Sequence, residues 1–343
     1  MLKTGVVADR AYLNHCAGHE HPECPERVRV LLDMLGGLKR NALRVIAPRP
    51  ATRKELTLCH DGAYVSFVEG AAAFRDYQFD PDTYACPGSF ETALLAAGGV
   101  LTAVEAVIGG EADNAFAVVR PPGHHALARR AMGFCLFNNI AIAAAYLIET
   151  LGLQRAMIID WDLHHGNGTQ ELFYRSSRVL YASVHQYPFY PGTGAINELG
   201  AGEGAGFTVN APLPAGCDDQ EYLRVFDELF APIARQFKPE FVLVSAGYDC
   251  HARDPLGQMR VSEAGFAAMA RRVKRLAAET CGGKLVAALE GGYDLEALAG
   301  STRATLEEFG READEPAASA HAGRRADAVI EKALFTLSPF WSV

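Results

Sequence analysis

The chain has 343 residues, of which 49% are hydrophobic, and it carries a formal net charge of −9 at pH 7. This composition can bury a large core and excludes disordered and fibrous classes. The negative charge argues against a nucleic-acid partner, which requires basic patches, and is compatible with cationic substrates. No stretch reaches the roughly 18 uninterrupted apolar residues of a membrane helix, so we expect no membrane partner.

The amino terminus, "MLKTGVVADRAYLNHC", has Asp9 and Arg10 where a signal peptide has its apolar stretch. We therefore expect a cytoplasmic protein. Eight cysteines are scattered along the chain without a CxxC pair. This pattern favours reduced, mostly buried thiols over a disulfide framework.

Short apolar runs that end in polar residues cover residues 114–125, 156–165, 179–185, 241–249 and 284–294. Continuous rather than alternating apolar strands favour a parallel sheet with helices on both faces. Helical patterns cover residues 138–152, 218–237, with a break expected near Pro232, and 262–280, with Ser262 as the N-cap. The sequence therefore predicts an α/β fold.

We expect a single domain over residues 1–310. Residues 311–343 are different in character, because they begin polar and Ala-rich and end in a short helical pattern and an apolar "SPFW" segment. We expect this tail to dock on the domain or on a neighbouring subunit of a homo-oligomer.

Ligands of open α/β sheets bind beyond the carboxyl ends of the strands, which is where this chain has its histidines and aspartates. Asp162 and His164 are two residues apart, so both side chains can reach one ion, and Asp249 follows another strand. One imidazole and two carboxylates leave an open position on a divalent ion, as in a catalytic site. Either aspartate alone would more often cap a helix or pair with an arginine.

Six motifs carry a resemblance to a known family: "RPPGHHA" (120–126), "GFCLFNN" (133–139), "IDWDLHHGNGTQ" (159–170), "PGTG" (191–194), "SAGYDCHARDPLG" (245–257) and "LEGGYD" (289–294). These motifs resemble those of the zinc-dependent histone deacetylase family. They occur in the same order, over roughly residues 10–300. The match is strongest to its class II branch and to bacterial deacetylase-like amidohydrolases, a group that includes acetylpolyamine amidohydrolases. The resemblance implies an arginase/deacetylase-like fold.

The resemblance makes Asp162, His164 and Asp249 the ligands of one zinc ion per chain. His124 and His125 match the paired histidines that face the attacking water, with His125 as general base and later acid. Tyr293 matches the tyrosine opposite them, which donates to the developing oxyanion. Without the resemblance, a tyrosine after "LEGG" would be read as a core residue.

In the same family pattern, Asp160 would hold His124 through its other ring nitrogen, and Asn167 would hold His125. An amide adds no negative charge, so we expect a lower proton affinity at His125 than at His124. Asp160, Ser183 and Val184 also match a family site for a structural potassium ion.

The resemblance assigns Gly133 and Phe134 in "GFCLFNN", and the ring before "PGTG", to a narrow acyl-lysine channel. That ring is Tyr190, where many relatives have phenylalanine, so acyl-chain preference can differ. Asp82 is a candidate rim carboxylate for a peptide backbone or a cationic substrate. A turn-forming aspartate is the alternative.

Leu256 in "DPLG" bears on the substrate. The polyamine-selective eukaryotic branch resembles this stretch but has a glutamate there, which suits a remote ammonium group. Leucine favours acetyl-lysine in a protein or peptide.

The stretch "HCAGHEHPEC" (15–24) could form a second zinc site with its histidines and cysteines. The resemblance offers another account, in which "HPECPER" is a substrate loop and Arg27 lines an internal cavity below the metal.

We therefore expect a zinc-dependent deacetylase acting on acetyl-lysine. The alternatives are an acetylpolyamine amidohydrolase and a non-catalytic acyl-lysine binder, which a missing tyrosine or zinc ligand would favour. An arginase-like two-manganese hydrolase would need a denser set of aspartates around "DWDLHH".

Overall fold

The computed structural model describes residues 2–15, 20–38, 43–73, 77–312 and 323–342. Its strands are β1 (Thr4–Ala8), β2 (Leu43–Ile46), β3 (Tyr77–Asp80), β4 (Thr83–Ala85), β5 (Asn114–Val118), β6 (Ala156–Asp160), β7 (Val179–Gln186), β8 (Thr208–Leu213), β9 (Phe241–Ala246) and β10 (Leu285–Leu289).

Eight strands form one parallel sheet in the order β2-β1-β5-β10-β9-β6-β7-β8, and β3 pairs with β4 in a separate antiparallel hairpin. The five strands expected from the apolar runs are β5, β10, β9, β6 and β7, which lie side by side at the centre of the sheet. The predicted α/β fold with a mostly parallel sheet is therefore confirmed, and the strands that carry the motifs are neighbours in space.

The helices are α1 (Pro25–Gly36), α2 (Arg53–Leu56), α3 (Gly62–Ala71), α4 (Ser89–Ile108), α5 (Asn139–Glu149), α6 (Asn167–Phe173), α7 (Asp219–Val225), α8 (Ala231–Phe237), α9 (Glu263–Cys281), α10 (Leu295–Phe309) and α11 (Asp327–Leu337). Apolar residues of α4 and α5 pack on one face of the sheet, and those of α9 and α10 pack on the other. Both faces are thus covered, as continuous apolar strands require.

The expected break near Pro232 is wrong. A π-helical turn over Phe226–Phe230 joins α7 to α8, and Pro232 lies in the first turn of α8. The helix continues through Pro232, and the π-helical turn changes the hydrogen-bond pattern just before the residue that has no N–H to donate. The expected helix start is confirmed at Ser262, whose side chain accepts a hydrogen bond from the N–H of Gly265 at the beginning of α9.

Helix α4 is long and apolar enough, by length and composition alone, to cross a membrane, and it is the one such helix in the described part of the chain. Glu91 and Glu105 interrupt its apolar residues, so a search for uninterrupted runs misses it. Within the structure, 67% of this segment is buried. It packs as a core helix against β1, β5 and α5.

The carboxyl-terminal helix α11 buries Ile330, Ala333 and Leu337 in the core cluster beside β8. The indole N–H of Trp341 donates a 2.7 Å hydrogen bond to the carbonyl oxygen of Gly206. These contacts are made with the same chain. The division into a domain ending near residue 310 and a tail stays a prediction.

The seven cysteines in the described ranges are all free thiols. The eighth, Cys16, lies outside those ranges.

Candidate active site

The carboxyl ends of four central strands meet around one channel. The chain leaves β5 towards His124, β6 towards Asp162, β9 towards Asp249 and β10 towards Tyr293. The channel has a volume of about 250 Å³ and is lined by Asp82, Pro122, His124, His125, Gly133, Phe134, His164, Phe189, Tyr190, Leu256, Gly291 and Tyr293. Most of the residues expected at the site are therefore brought together.

Asp162, His164 and Asp249 form a buried group that could hold a metal ion, because one ligand atom from each lies within 4.8 Å of the others. Both carboxylates approach the same imidazole nitrogen. Nδ1 of His164 is 3.3 Å from Oδ1 of Asp162 and 2.9 Å from Oδ2 of Asp249. Three ligand atoms that converge from two different loops fit a single divalent cation with an open coordination position.

Backbone N–H groups hold the other carboxylate oxygens. Asp249 Oδ1 accepts from the N–H of Leu163 at 2.9 Å, and Asp162 Oδ2 accepts from the N–H of Gly291 at 2.8 Å. A Cβ atom on Gly291 would lie 2.4 Å from Asp249 Oδ2, so only glycine lets the backbone approach this closely. The ligand geometry is therefore fixed by the protein itself.

The electrostatics of this group also suit a cation. In the described residues, only histidines lie within ion-pair distance of Asp162 and Asp249. Burial, together with the negative charge of Asp162, raises the pKa of Asp249 to about 7. Two buried carboxylates without a lysine or arginine partner are costly, and a divalent cation would offset that cost.

The paired histidines have different partners. His124 donates from Nδ1 to Asp160 Oδ2 at 3.1 Å, and His125 donates from Nδ1 to Asn167 Oδ1 at 2.7 Å. Burial lowers the pKa of His124, but the charges of Asp162 and Asp160 outweigh it and hold that pKa well above its ordinary value. The pKa of His125 is well below its ordinary value because of burial and the neighbouring His124. This is the order expected from a carboxylate and an amide partner.

Tyr293 lines the same channel as the histidines, with its ring edge-on to Phe134 at a centroid distance of 5.8 Å. Burial raises the pKa of its hydroxyl well above the ordinary value. The phenol therefore keeps its proton and is available as a hydrogen-bond donor.

Phe134 and Tyr190, the two rings assigned to the channel by the resemblance, both line it. Gly133 and Phe134 both have positive φ, +57° and +68°, and a Cβ on Gly133 would lie 2.3 Å from Cδ2 of His125. Tyr190 packs edge-on against His125 at 5.2 Å. Phe189, which was not among the expected residues, stacks on His164 with ring centroids 5.6 Å apart.

Asp82 and Leu256 line the channel, whereas Arg27 does not. Arg27 is fully buried beside the channel. Its guanidinium lies 4.9 Å from the centre of the Tyr293 ring and donates from Nε to the carbonyl oxygen of Gly292 at 2.7 Å. Arg27 therefore supports the tyrosine loop and does not form the channel wall.

The residues expected at a potassium site lie together on two paired strands. Asp160 on β6 is in register with Ser183 on β7, and Val184 follows it. All three are buried. The Ser183 hydroxyl is 2.9 Å from Nδ1 of His185.

Sequence reasoning missed three buried polar side chains that support the site. Glu290 Oε2 accepts from the N–H groups of Gly123 at 2.6 Å and of His124 at 3.2 Å. The Tyr181 hydroxyl donates to Asp160 Oδ2 at 3.0 Å. Asp254, in the loop after β9, binds the backbone of Tyr293. The sequence offered a signal for two of them: Glu290 in "LEGG" and Asp254 in "DPLG" are both carboxylates that follow an apolar run.

The stretch "HCAGHEHPEC", the less favoured candidate for a second zinc site, falls partly outside the described residues, which omit Cys16 and His19. The described members have other partners. His15 lies 2.7 Å from the Ser89 hydroxyl, and the two ring nitrogens of His21 are each 3.1 Å from a carbonyl oxygen, of Glu23 and of Asp82.

Fold and site together define a hydrolase-like centre in which a buried metal-binding group faces two histidines and a tyrosine. The family model "Histone deacetylase domain" matches residues 21–309. The chain belongs to the histone deacetylase family, and its activity class is that of a deacetylase or amidohydrolase.

The individual proteins to which the chain is similar support the same family membership. The chain is 44% identical over 298 residues to a probable deacetylase of Archaeoglobus fulgidus, covering 86% of this chain and 82% of that protein. It is 40% identical over 279 residues to the histone deacetylase-like amidohydrolase of Pseudomonas aeruginosa, covering 81% and 73%. It is 42% identical over 308 residues to the human polyamine deacetylase HDAC10, covering 84% of this chain but only 45% of that one.

Several of the curated plant relatives are also longer, so that the chain spans about half of their length. The crystal structure of the HDA15 HD domain superimposes with a TM-score of 0.91 at 37% identity, covering 99% of this chain and 95% of that one.

Proposed function

We propose that this protein is a zinc-dependent amidohydrolase that removes acetyl, or another short acyl group, from lysine side chains of proteins or peptides. The observation that carries the proposal is the convergence of Asp162, His164 and Asp249 beside a channel whose lining includes the rings of Phe134, Phe189 and Tyr190. A narrow apolar channel suits the methylene stem of an acyl-lysine, and the polar groups at its end suit the amide.

Asp162, His164 and Asp249 would hold the zinc, which when bound polarises the amide carbonyl and makes water a stronger nucleophile. With Nδ1 of His125 bonded to Asn167, its Nε2 is left to take a proton from the attacking water. The same nitrogen then returns a proton to the leaving amine. The low pKa of His125 keeps it neutral, as a base must be.

Tyr293 would donate its hydroxyl hydrogen bond to the oxyanion that develops on the acyl carbon. The pKa of that hydroxyl is raised by burial, so the group acts as a donor and not as a charged base. Such donors stabilise the transition state more than the substrate.

We also propose a structural potassium ion held by Asp160, Ser183 and Val184. Support comes from their burial on adjacent, in-register strands next to the metal-binding group. An activity that rises with added potassium but not with added sodium would support this site.

A second candidate is hydrolysis of acetylpolyamines. It is favoured by the net charge of −9 and by similarity to a human protein named as a polyamine deacetylase. Leu256 speaks against it, because this channel-lining side chain cannot pair with a remote ammonium group.

The test begins with protein stripped by a chelator and reloaded with one zinc per chain. Acetate and free lysine amine are then measured from an acetyl-lysine peptide. The proposal predicts release of both in equal amounts with zinc and neither in the stripped protein. Tight binding of the peptide without acetate release would instead indicate a non-catalytic acyl-lysine binder.

A further inference from the structure

We infer that Asp254 is a positioning residue that holds the backbone of Tyr293 in the place where its hydroxyl can act. This inference rests on the proposed function. It concerns a residue outside the metal-binding group, the histidine pair and the channel lining.

A single carboxylate joins two loops of the site. Asp254 Oδ2 accepts from the N–H of Tyr293 at 2.6 Å and from the N–H of Asp294 at 3.2 Å. Its other oxygen, Oδ1, accepts from the N–H of Leu256 at 3.0 Å. The tyrosine and the channel wall at Leu256 therefore share one anchor.

The backbone before Tyr293 needs such an anchor. Gly291 and Gly292 precede it, and Gly292 has a φ of +120°, a conformation that glycine adopts readily and other residues rarely do. Arg27 holds the carbonyl oxygen of Gly292 from one side at 2.7 Å. Asp254 accepts from the N–H of Tyr293, the next residue. The tyrosine that follows the two flexible glycines is therefore held in place.

That residue 254 is an aspartate, and not a neutral residue, also supports a role in positioning Tyr293. Asp254 is 7% exposed, and in the described part of the chain no lysine or arginine lies within ion-pair distance of it. A buried, unpaired carboxylate costs folding free energy that a neutral side chain would avoid. An asparagine has only one acceptor oxygen and cannot serve Leu256 and Tyr293 together. Only a carboxylate satisfies both loops.

The experiment is a double-mutant cycle on kcat, with zinc-loaded protein and an acetyl-lysine peptide. Asp254→Asn alone should lower kcat by about 10-fold to 100-fold, the effect of a small misplacement of a reacting group, with zinc content unchanged. Added to Tyr293→Phe, the same change should lower kcat no further. The absence of a further loss identifies an effect that passes through the tyrosine hydroxyl.

Asp294→Asn is the matched control, because Asp294 caps α10 in the same loop by accepting from the N–H of Ala297. Asparagine caps a helix about as well as aspartate, so this variant should leave both the melting temperature and kcat close to those of the wild type. If Asp254→Asn does not fold, Asp254→Ser, whose hydroxyl still accepts one N–H, takes its place in the cycle.

An equal loss of kcat in both backgrounds, or no loss in either, would overturn the positioning role while the deacetylase activity stands. A wild-type protein that releases no acetate would instead refute the proposed function, and this inference with it.

Discussion

Asn167 accepts a 2.7 Å hydrogen bond from Nδ1 of His125 and so gives that imidazole an uncharged partner, whereas the neighbouring His124 has a carboxylate. Replacing Asn167 by aspartate would favour the protonated form of His125. Because the base must be neutral, the acidic limb of the kcat/KM profile should then move to higher pH, by about one to two units. Stopped assays across the pH range measure this.

The control variant is Asp160→Asn. It removes the charged partner of His124 and leaves the hydrogen bond between His125 and Asn167 in place. An acidic limb that stays in place in Asn167→Asp would contradict the assignment of His125 as the base.

Tyr293→Phe removes one hydroxyl and no carbon atoms. It should lower kcat by about 10²-fold to 10³-fold, the usual effect of losing one oxyanion donor. Zinc content should remain at one per chain, because the tyrosine is outside the group of candidate metal ligands. Turnover near that of the wild type would remove Tyr293 from the mechanism.

Asp249→Asn replaces one of three converging ligand atoms with a neutral amide. We expect purified variant protein to contain far less zinc than the wild type when both are analysed by mass spectrometry. The wild type, but not the variant, should also melt at a higher temperature when zinc is added, since a ligand that binds only the folded state stabilises it. Equal zinc contents would contradict the ligand assignment.

Glu23 is fully buried between Arg120 and Arg27, at 2.8 Å and 3.1 Å. Glu23→Gln leaves two buried guanidinium groups without their counter-charge and should cost about 3–5 kcal/mol of unfolding free energy. The exposed pair of Glu26 and Arg29 offers the control, since Glu26→Gln should cost less than about 1 kcal/mol. Urea unfolding curves measure both.

The loss of unfolding free energy caused by Glu23→Gln should depend on pH in a defined direction. Burial would raise the pKa of Glu23, but Arg120 and its other charged neighbours hold it at about 2. The stabilisation is therefore complete above an unfolded pKa of about 4.3 and is lost as the pH falls towards 2. The difference between wild type and Glu23→Gln should narrow over that window, and a constant difference would contradict the charge network.

The central sheet could be predicted because its strands are continuous apolar runs that end in functional motifs. The outer strands β2 and β8 and the strand β1 next to β2 were not predicted, since the apolar runs singled out for their polar ends are those that form the centre of the sheet. The π-helical turn before Pro232 could not be foreseen either. A proline marks the place in the sequence but does not distinguish a break in the helix from a π-helical turn before it.

Within the site, the metal-binding residues followed from spacing and resemblance because they lie directly after strands. Asp254 and Glu290 act through backbone N–H groups of distant loops, at separations of 39 and 167 residues. The sequence shows that each is a carboxylate after an apolar run, but which N–H groups they bind depends on the folded backbone. Arg27 had been expected below the metal, and its contact with Gly292 likewise required the structure.

The most direct test of the account is kcat/KM for an acetyl-lysine peptide against an N-acetylated polyamine, with zinc-loaded protein and Tyr293→Phe as the control. The account predicts a clear preference for the peptide, because Leu256 lines the channel where a polyamine would require a carboxylate. Both activities should fall in the control. A preference for the polyamine would contradict the proposed substrate class, and no turnover of either would contradict the deacetylase assignment itself.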